Sequence, residues 1–112
     1  MKLFHTTHGL ELLKPNWQVP EHVNAFVSTR NGGVSDSPYD SLNLGKHVGD
    51  QITQVEQNRE LLQKILPSQP IWLNQVHGTQ IWTSPQSSLE ADGAITQQAN
   101  QVLTIMTADC MP

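Results

Sequence analysis

His77 and Cys110 are the two side chains of this sequence best suited to chemistry. Each falls at the downstream end of an expected strand, beside a residue that breaks it: Gly78 after the histidine, Pro112 shortly after the cysteine. A strand end fixes a side chain while adjoining loops cover it, and sites are commonly built there. A neutral imidazole and a thiolate are both zinc ligands, and three protein ligands plus a water make a catalytic zinc site. A thiol and an imidazole can also act as a nucleophile and its base, as in a cysteine hydrolase. Positions 77 and 110 are 33 residues apart. That spacing selects neither arrangement over a buried structural thiol and a solvated imidazole.

Two further segments carry polar chemistry. Ser28-Thr29-Arg30-Asn31-Gly32-Gly33 ends an expected strand in a hydroxyl, a guanidinium and two glycines, a set that can present donors to a phosphate or simply form a turn with a surface arginine. No Gly-Lys-Ser/Thr follows, and the glycines lack the dinucleotide-binding spacing, so neither common phosphate motif applies. Ser41 to Asp50 mixes polar side chains with glycines: Asn43 can hydrogen-bond a base or a sugar, and His47 offers a second imidazole. An Asx turn leading into a helix accounts for the same residues. Asp92 and Asp109 are carboxylates in turn or strand-end contexts, and Asp109 faces away from its neighbour Cys110 if both lie in a strand. Trp17, Trp72 and Trp82 can stack on a purine, although Trp72 and Trp82 in strands also suit a core. Five histidines and one cysteine are few for a blue-copper centre with a trinuclear cluster.

The elements that must position these groups follow from periodicity. Residues 1–21 are loosely patterned, with Pro15 and Pro20 as breakers, and His22 to Thr29 alternates as a strand. Residues 34–49 form a long loop rich in turn formers, a length that is usually functional or disordered. Asp50 is the expected N-cap of a helix with Ile52, Val55, Arg59, Leu62, Ile65 and Leu66 near one face at spacings of three and four, ended by Pro67. Strands are expected at Ile71–His77, Ile81–Thr83 and Val102–Thr107, with a turn at Asp92-Gly93. This order predicts an α+β (mixed α/β) domain rather than a helical bundle. A buried strand beside Pro112 needs neighbours on both sides, so the 112 residues are expected to be the N-terminal part of a longer domain.

Composition bounds the class. Six basic against ten acidic side chains give a net charge of −4, which offers no electrostatic footprint for nucleic acid. No stretch approaches a membrane span, and the N-terminus has no secretory pattern. A single cysteine, Cys110, excludes an internal disulfide framework and fits a reducing compartment, so a cytoplasmic location is expected.

Together the segments resemble a known family. Ser28-Thr29-Arg30-Asn31-Gly32-Gly33-Val34-Ser35, Pro38-Tyr39-Asp40-Ser41-Leu42-Asn43-Leu44-Gly45 and His47-Val48-Gly49-Asp50 are similar to the opening of the YfiH-type family, often labelled a laccase domain or polyphenol oxidase. Leu73-Asn74-Gln75-Val76-His77-Gly78, Ala91-Asp92-Gly93 and Thr107-Ala108-Asp109-Cys110-Met111-Pro112 continue the resemblance in order. On this reading residues 1–112 are the N-terminal portion of one such domain, with 1–21 as lead-in and 22–112 bearing the motifs.

The resemblance implies a compact mixed α/β fold, a single domain with a mixed β-sheet and flanking helices, and a zinc site with ligands at His77 and Cys110, which are then also the catalytic residues. A third ligand is implied from a His-Ala-Gly-Trp-Arg-Gly segment that the sequence lacks, and with two ligands the chain as given is not expected to catalyse by itself. It implies zinc-dependent phosphorolysis of adenosine, inosine, guanosine and methylthioadenosine, with adenosine deamination by a zinc-activated water. Arg30 would hold phosphate, and Asn43 and His47 would orient the nucleoside. The expected partners are therefore purine nucleosides and phosphate. The alternatives are a copper-dependent polyphenol oxidase, a cysteine hydrolase using Cys110 and His77, and a non-catalytic binding module.

Overall fold

The computed structural model describes residues 1–86 and 88–107. They form two units, one from Met1 to Leu62 and one beginning at Gln63. The mixture of α and β read from the sequence is present, with a single helix and two separate small sheets among the described residues rather than one sheet with several helices. That helix is too short and polar to cross a membrane.

The first unit starts with a hairpin in the stretch where no element was expected. β1 (Lys2–His5) and β2 (Glu11–Lys14) pair antiparallel, with His5 opposite Glu11 and Lys2 opposite Lys14. Thr6 closes the turn: its N–H donates to the Leu10 carbonyl, and its hydroxyl accepts from the Leu10 N–H. Leu10 and Leu12 are buried two residues apart, the period of a half-covered strand. Pro15 stands just beyond the hairpin and does not interrupt it.

β3 (Val27–Ser28) completes the sheet, pairing Leu12 with Ser28 and Leu13 with Val27. The expected strand His22–Thr29 is thus cut to two residues, and the register gives the reason. Extending it upstream would set Ala25 against Pro15, which has no N–H to offer. Upstream of that, Val23 instead donates to the Pro20 carbonyl in a turn.

The long loop after β3 is packed around one polar side chain of the helix α1 (Ile52–Gln63). Val55, Asn58 and Leu62 are its buried residues, at the spacing of three and four that lines one helical face. Asn58 is fully buried, and both of its amide donors and its oxygen have partners. Its Oδ1 accepts from the Val34 N–H at 2.8 Å, and its Nδ2 donates to Ser35 Oγ at 2.9 Å and to the Asn43 carbonyl at 2.8 Å. Gly33 lies against the same amide. A Cβ there would come within 2.6 Å of both Asn58 Oδ1 and Leu42 Cα, so no larger residue fits without moving backbone.

Two details of the helix differ from expectation. Gln51 rather than Asp50 occupies the cap, since the Gln51 carbonyl accepts from the Gln54 and Val55 N–H groups. Asp50 instead accepts from the Gln51 N–H at 2.8 Å, two residues ahead of Ile52 at the helix entrance, where the dipole favours an anion. The face also differs: Ile52 is 47% exposed, and Asn58 takes the central position. The helix gives way to a turn before Pro67, with the Leu66 N–H on the Gln63 carbonyl.

In the second unit β4 (Ile81–Thr83) and β5 (Gly93–Ile95) pair in parallel, Trp82 beside Ala94. Leu73, Trp82 and Ala91 form the core, with Ile71, Ala94 and Leu103 packed on it. The expected strands Ile71–His77 and Val102–Thr107 are reduced to bridges, because the chain changes partner midway: Ile71 pairs with Leu103, and Asn74 with Glu90. Gly93, expected in a turn, opens β5. A Cβ on it would meet the Ile81 side chain at 2.8 Å.

Replacing Asn58 with leucine keeps the branching and the number of heavy atoms, with a somewhat larger side chain, but strands the Val34 N–H and the Asn43 carbonyl. The expected loss is about 2–6 kcal/mol, at about 1–3 kcal/mol for each of the two groups left without a partner. Urea unfolding of the variant beside the parent checks it, and an unchanged midpoint would remove the amide from the centre of this unit.

Candidate functional site

His77 sits on a loop of the second unit in a left-handed conformation, φ 58°, with its side chain exposed. A single carboxylate holds the loop. Asp92 Oδ1 accepts from the Val76 N–H at 3.0 Å and the His77 N–H at 2.9 Å, and Oδ2 accepts from the Gly78 N–H at 2.7 Å. These donors, the Gly78 N–H foremost, hold the Asp92 carboxyl below the usual aspartate range. Asp92 is itself tied back through its N–H to the Gln80 carbonyl. The imidazole of His77 makes no hydrogen bond among the described residues.

Gln75, two residues before His77, anchors another segment. Its Nε2 donates to the Met106 carbonyl at 3.0 Å, and its Oε1 accepts from the Met106 N–H at 2.7 Å. A side-chain amide thus replaces the backbone partner that a strand at 102–107 would have had. Cys110 and Asp109 lie outside the described residues. Among those described, no group of three or more His, Cys, Asp and Glu side chains is placed to hold a metal.

The other three candidates lie on the long loop of the first unit. Arg30 donates from Nε to the Asp40 carbonyl at 2.6 Å, and its guanidinium lies 3.6 Å from the Asp40 carboxylate. Both side chains are more than half exposed. Asn43 forms the anticipated Asx turn: Oδ1 accepts from the Gly45 N–H at 3.1 Å, while Nδ2 donates to the Gly45 carbonyl and to Asp50 Oδ2. Its donors are therefore engaged within the loop, and one acceptor lone pair remains. His47 is exposed and lies over Gly45 beside Asn43, since a Cβ on Gly45 would meet His47 Cε1 at 3.4 Å and Asn43 Oδ1 at 3.6 Å. Asn43 and His47 are thus brought together around Gly45, and Arg30 is joined to Asp40.

Three residues that organise these loops carried little signal in the sequence. Asn58 interrupts an apolar helical face, three after Val55 and four before Leu62, and that interruption was its only trace. Gln75 was one of many glutamines. Asp92 read as a turn residue, and only its contact with a loop 14 to 16 positions upstream shows what it does.

Comparison with known proteins fits this arrangement of ordered loop motifs. Residues 24–112 match the family model described as multi-copper polyphenol oxidoreductase laccase. The chain belongs to that family, to which the YfiH-type proteins also belong. It is similar to a Haemophilus influenzae protein named purine nucleoside phosphorylase, at 50% identity over 92% of this chain and 44% of the relative. It is similar also to the Escherichia coli K12 protein named purine nucleoside phosphorylase YfiH, at 47% identity over 91% of this chain and 44% of the relative. A crystal structure of a Neisseria meningitidis protein of family DUF152 superimposes with a TM-score of 0.79 at 38% identity, over 88% of this chain and 42% of that one. The chain spans less than half the length of the relatives it matches.

Asp50 gives the first-unit loop a measurable pH dependence. The Ser35 hydroxyl first, then the Asn43 amide and the Gln51 N–H, hold its carboxyl below the usual aspartate range. A depressed folded value means that the stabilisation is complete above the unfolded value, about 3.9, and is lost as pH falls through the folded one. The stability difference between the parent and Asp50→Asn is therefore expected at full size near about pH 6 and shrinking toward about pH 2. Urea midpoints across that range measure it, and a difference that stays constant would contradict the assignment.

Proposed function

We propose that the complete protein is a zinc-dependent purine nucleoside phosphorylase that also deaminates adenosine. The observation that carries this reading is the 47–50% identity, over more than nine-tenths of this chain, to relatives named purine nucleoside phosphorylase. The substrates are then purine nucleosides and phosphate. In phosphorolysis a phosphate oxygen bonds to C1′ of the ribose, the bond from C1′ to the base nitrogen breaks, and the base leaves with a proton. In deamination water adds at C6 of adenine and ammonia leaves.

His77 and Cys110 are the proposed metal ligands on this chain. The exposed imidazole of His77, on a loop fixed from behind, suits a ligand, and Gln75 anchors Met106, four residues ahead of Cys110 in sequence. Two such donors fit part of a three-ligand site. Zinc, when bound, supplies a Lewis acid that polarises oxygen and activates water.

Arg30 is the proposed phosphate ligand. Its partner Asp40 is exposed, and an exposed ion pair contributes about 1 kcal/mol or less, so phosphate can take its place at little cost. The remaining guanidinium donors match phosphate oxygens in pairs. His47 is free to meet a nucleoside, and Asn43 fixes the loop that presents it, with one lone pair left for a donor on the substrate.

The family description favours a second reading, copper-dependent phenol oxidation. Metal analysis of the purified complete protein separates the two, with about one zinc per chain expected and stoichiometric copper favouring the oxidase.

Incubation of the complete protein with adenosine, with and without phosphate, tests the activity. Adenine and ribose 1-phosphate are expected only with phosphate, and inosine in both tubes. Unchanged adenosine throughout would overturn the proposal. His77→Ala and Cys110→Ala are each expected to lose both metal and turnover, and a variant that keeps zinc at the parent level would remove that residue from the site.

A further inference from the structure

We propose that Asp92 is a positioning residue for His77, acting through the backbone of the loop rather than through the imidazole; this rests on the reading of His77 as a metal ligand. Histidine carries a Cβ, and a positive φ is disfavoured for such residues, so the conformation at His77 needs external support. The support is visible. Three successive N–H groups, of Val76, His77 and Gly78, converge on the two oxygens of Asp92 at 3.0, 2.9 and 2.7 Å. Successive amides turned to one side form a concavity for an anion, and here the chain supplies that anion itself.

Asp92 is well placed to transmit rigidity. It follows Ala91, which is 2% exposed in the core of the second unit, and precedes Gly93, which opens β5. Its own N–H is fixed on the Gln80 carbonyl. The loop is thereby strapped to the sheet on both sides of His77. A carboxylate near a metal-bound histidine more often takes the second ring N–H. Both oxygens of Asp92 are engaged by main-chain donors, which leaves the ring of His77 exposed and sets the direction in which its Cα–Cβ bond points. Asparagine at this position would replace one oxygen with an NH₂ group facing an N–H, and the convergence of donors would fail.

The test is a double-mutant cycle read by zinc affinity on the complete protein, using competition with a chromophoric chelator at a temperature where circular dichroism shows every variant folded. Asp92→Asn is expected to weaken zinc by about 10–100-fold, the usual effect of losing a group that orients a ligand. In a His77→Ala background, which loses zinc on purification and is therefore titrated with added zinc at higher concentration, the same substitution is expected to change the residual affinity no further. Parent-like zinc affinity in Asp92→Asn would overturn the proposal, as would an equal weakening in the His77→Ala background, which marks a general effect on the fold. If His77→Ala itself binds zinc like the parent, the reading of His77 as a ligand fails, and the positioning role falls with it. Should Asp92→Asn not fold, Asp92→Ser, which keeps one acceptor oxygen, is judged by the same criteria.

Discussion

The first unit depends on one constraint: the amide of Asn58 must find its partners away from water. An amide buried without partners would cost several kcal/mol, on the order of 2–7, so the helix can bury it only when Val34, Ser35 and Asn43 present their groups at the right places. Those three residues span much of a loop that has no regular secondary structure. Hydrophobic burial by Val55 and Leu62 draws the helix in but is indifferent to the loop's path. The amide fixes that path. Ser35 then passes a hydrogen bond on to Asp50, and Asn43 does the same, so the helix entrance and the loop are held by one connected set. Among the described residues no buried side-chain polar atom is left without a partner, the condition under which such a network stabilises.

The second unit solves a similar problem with different residues. Its strands are short, and its backbone groups between Asn74 and Gln80 have few ladder partners. Side chains stand in for the missing ladder: Asp92 for the amides of 76–78, Gln75 for the backbone of Met106, and Thr104 for the Ile71 carbonyl. In both units polar side chains supply hydrogen-bond partners to the irregular segments, so a long loop here is a built part of the fold.

This device explains what the sequence disclosed and what it hid. Ile81–Thr83 was legible in full, because a strand packed through Trp82 obeys a local pattern. The helix was legible in existence and near its start, but not in its end at Gln63, its cap or its central residue, since Asn58 makes sense only against a loop 15 to 24 positions away. The hairpin at Lys2–Lys14 was lost behind Pro15 and Pro20, although the prolines lie outside it. The strands expected at 71–77 and 102–107 were over-read, because apolar β-formers do not show that a chain will change partners at Asn74. Of the candidate site, His77 lies exposed on a loop braced by Asp92, where a covered strand end was expected, and His47 lies exposed on the loop that leads into the helix. Asn43 does the local work that its Asx-turn alternative described.

The motifs that mark the family therefore divide into two kinds of residue. Gly33, Ser35, Ser41, Asn43, Asp50 and Asp92 have their polar groups or their lack of a side chain accounted for within the chain: they shape loops. His47 and His77 have exposed imidazoles, and the guanidinium of Arg30 is held only by an exposed partner. A residue whose donors are already engaged would have to give up good hydrogen bonds to meet a ligand, whereas an exposed imidazole exchanges only water. The groups of these motifs left free to meet a ligand are accordingly a few exposed side chains, and the larger part of the motif shapes the loops that carry them. On the function proposed above, such an allocation suits catalysis, because a ligand or a charge displaced by even 1 Å loses much of its effect on a reacting group.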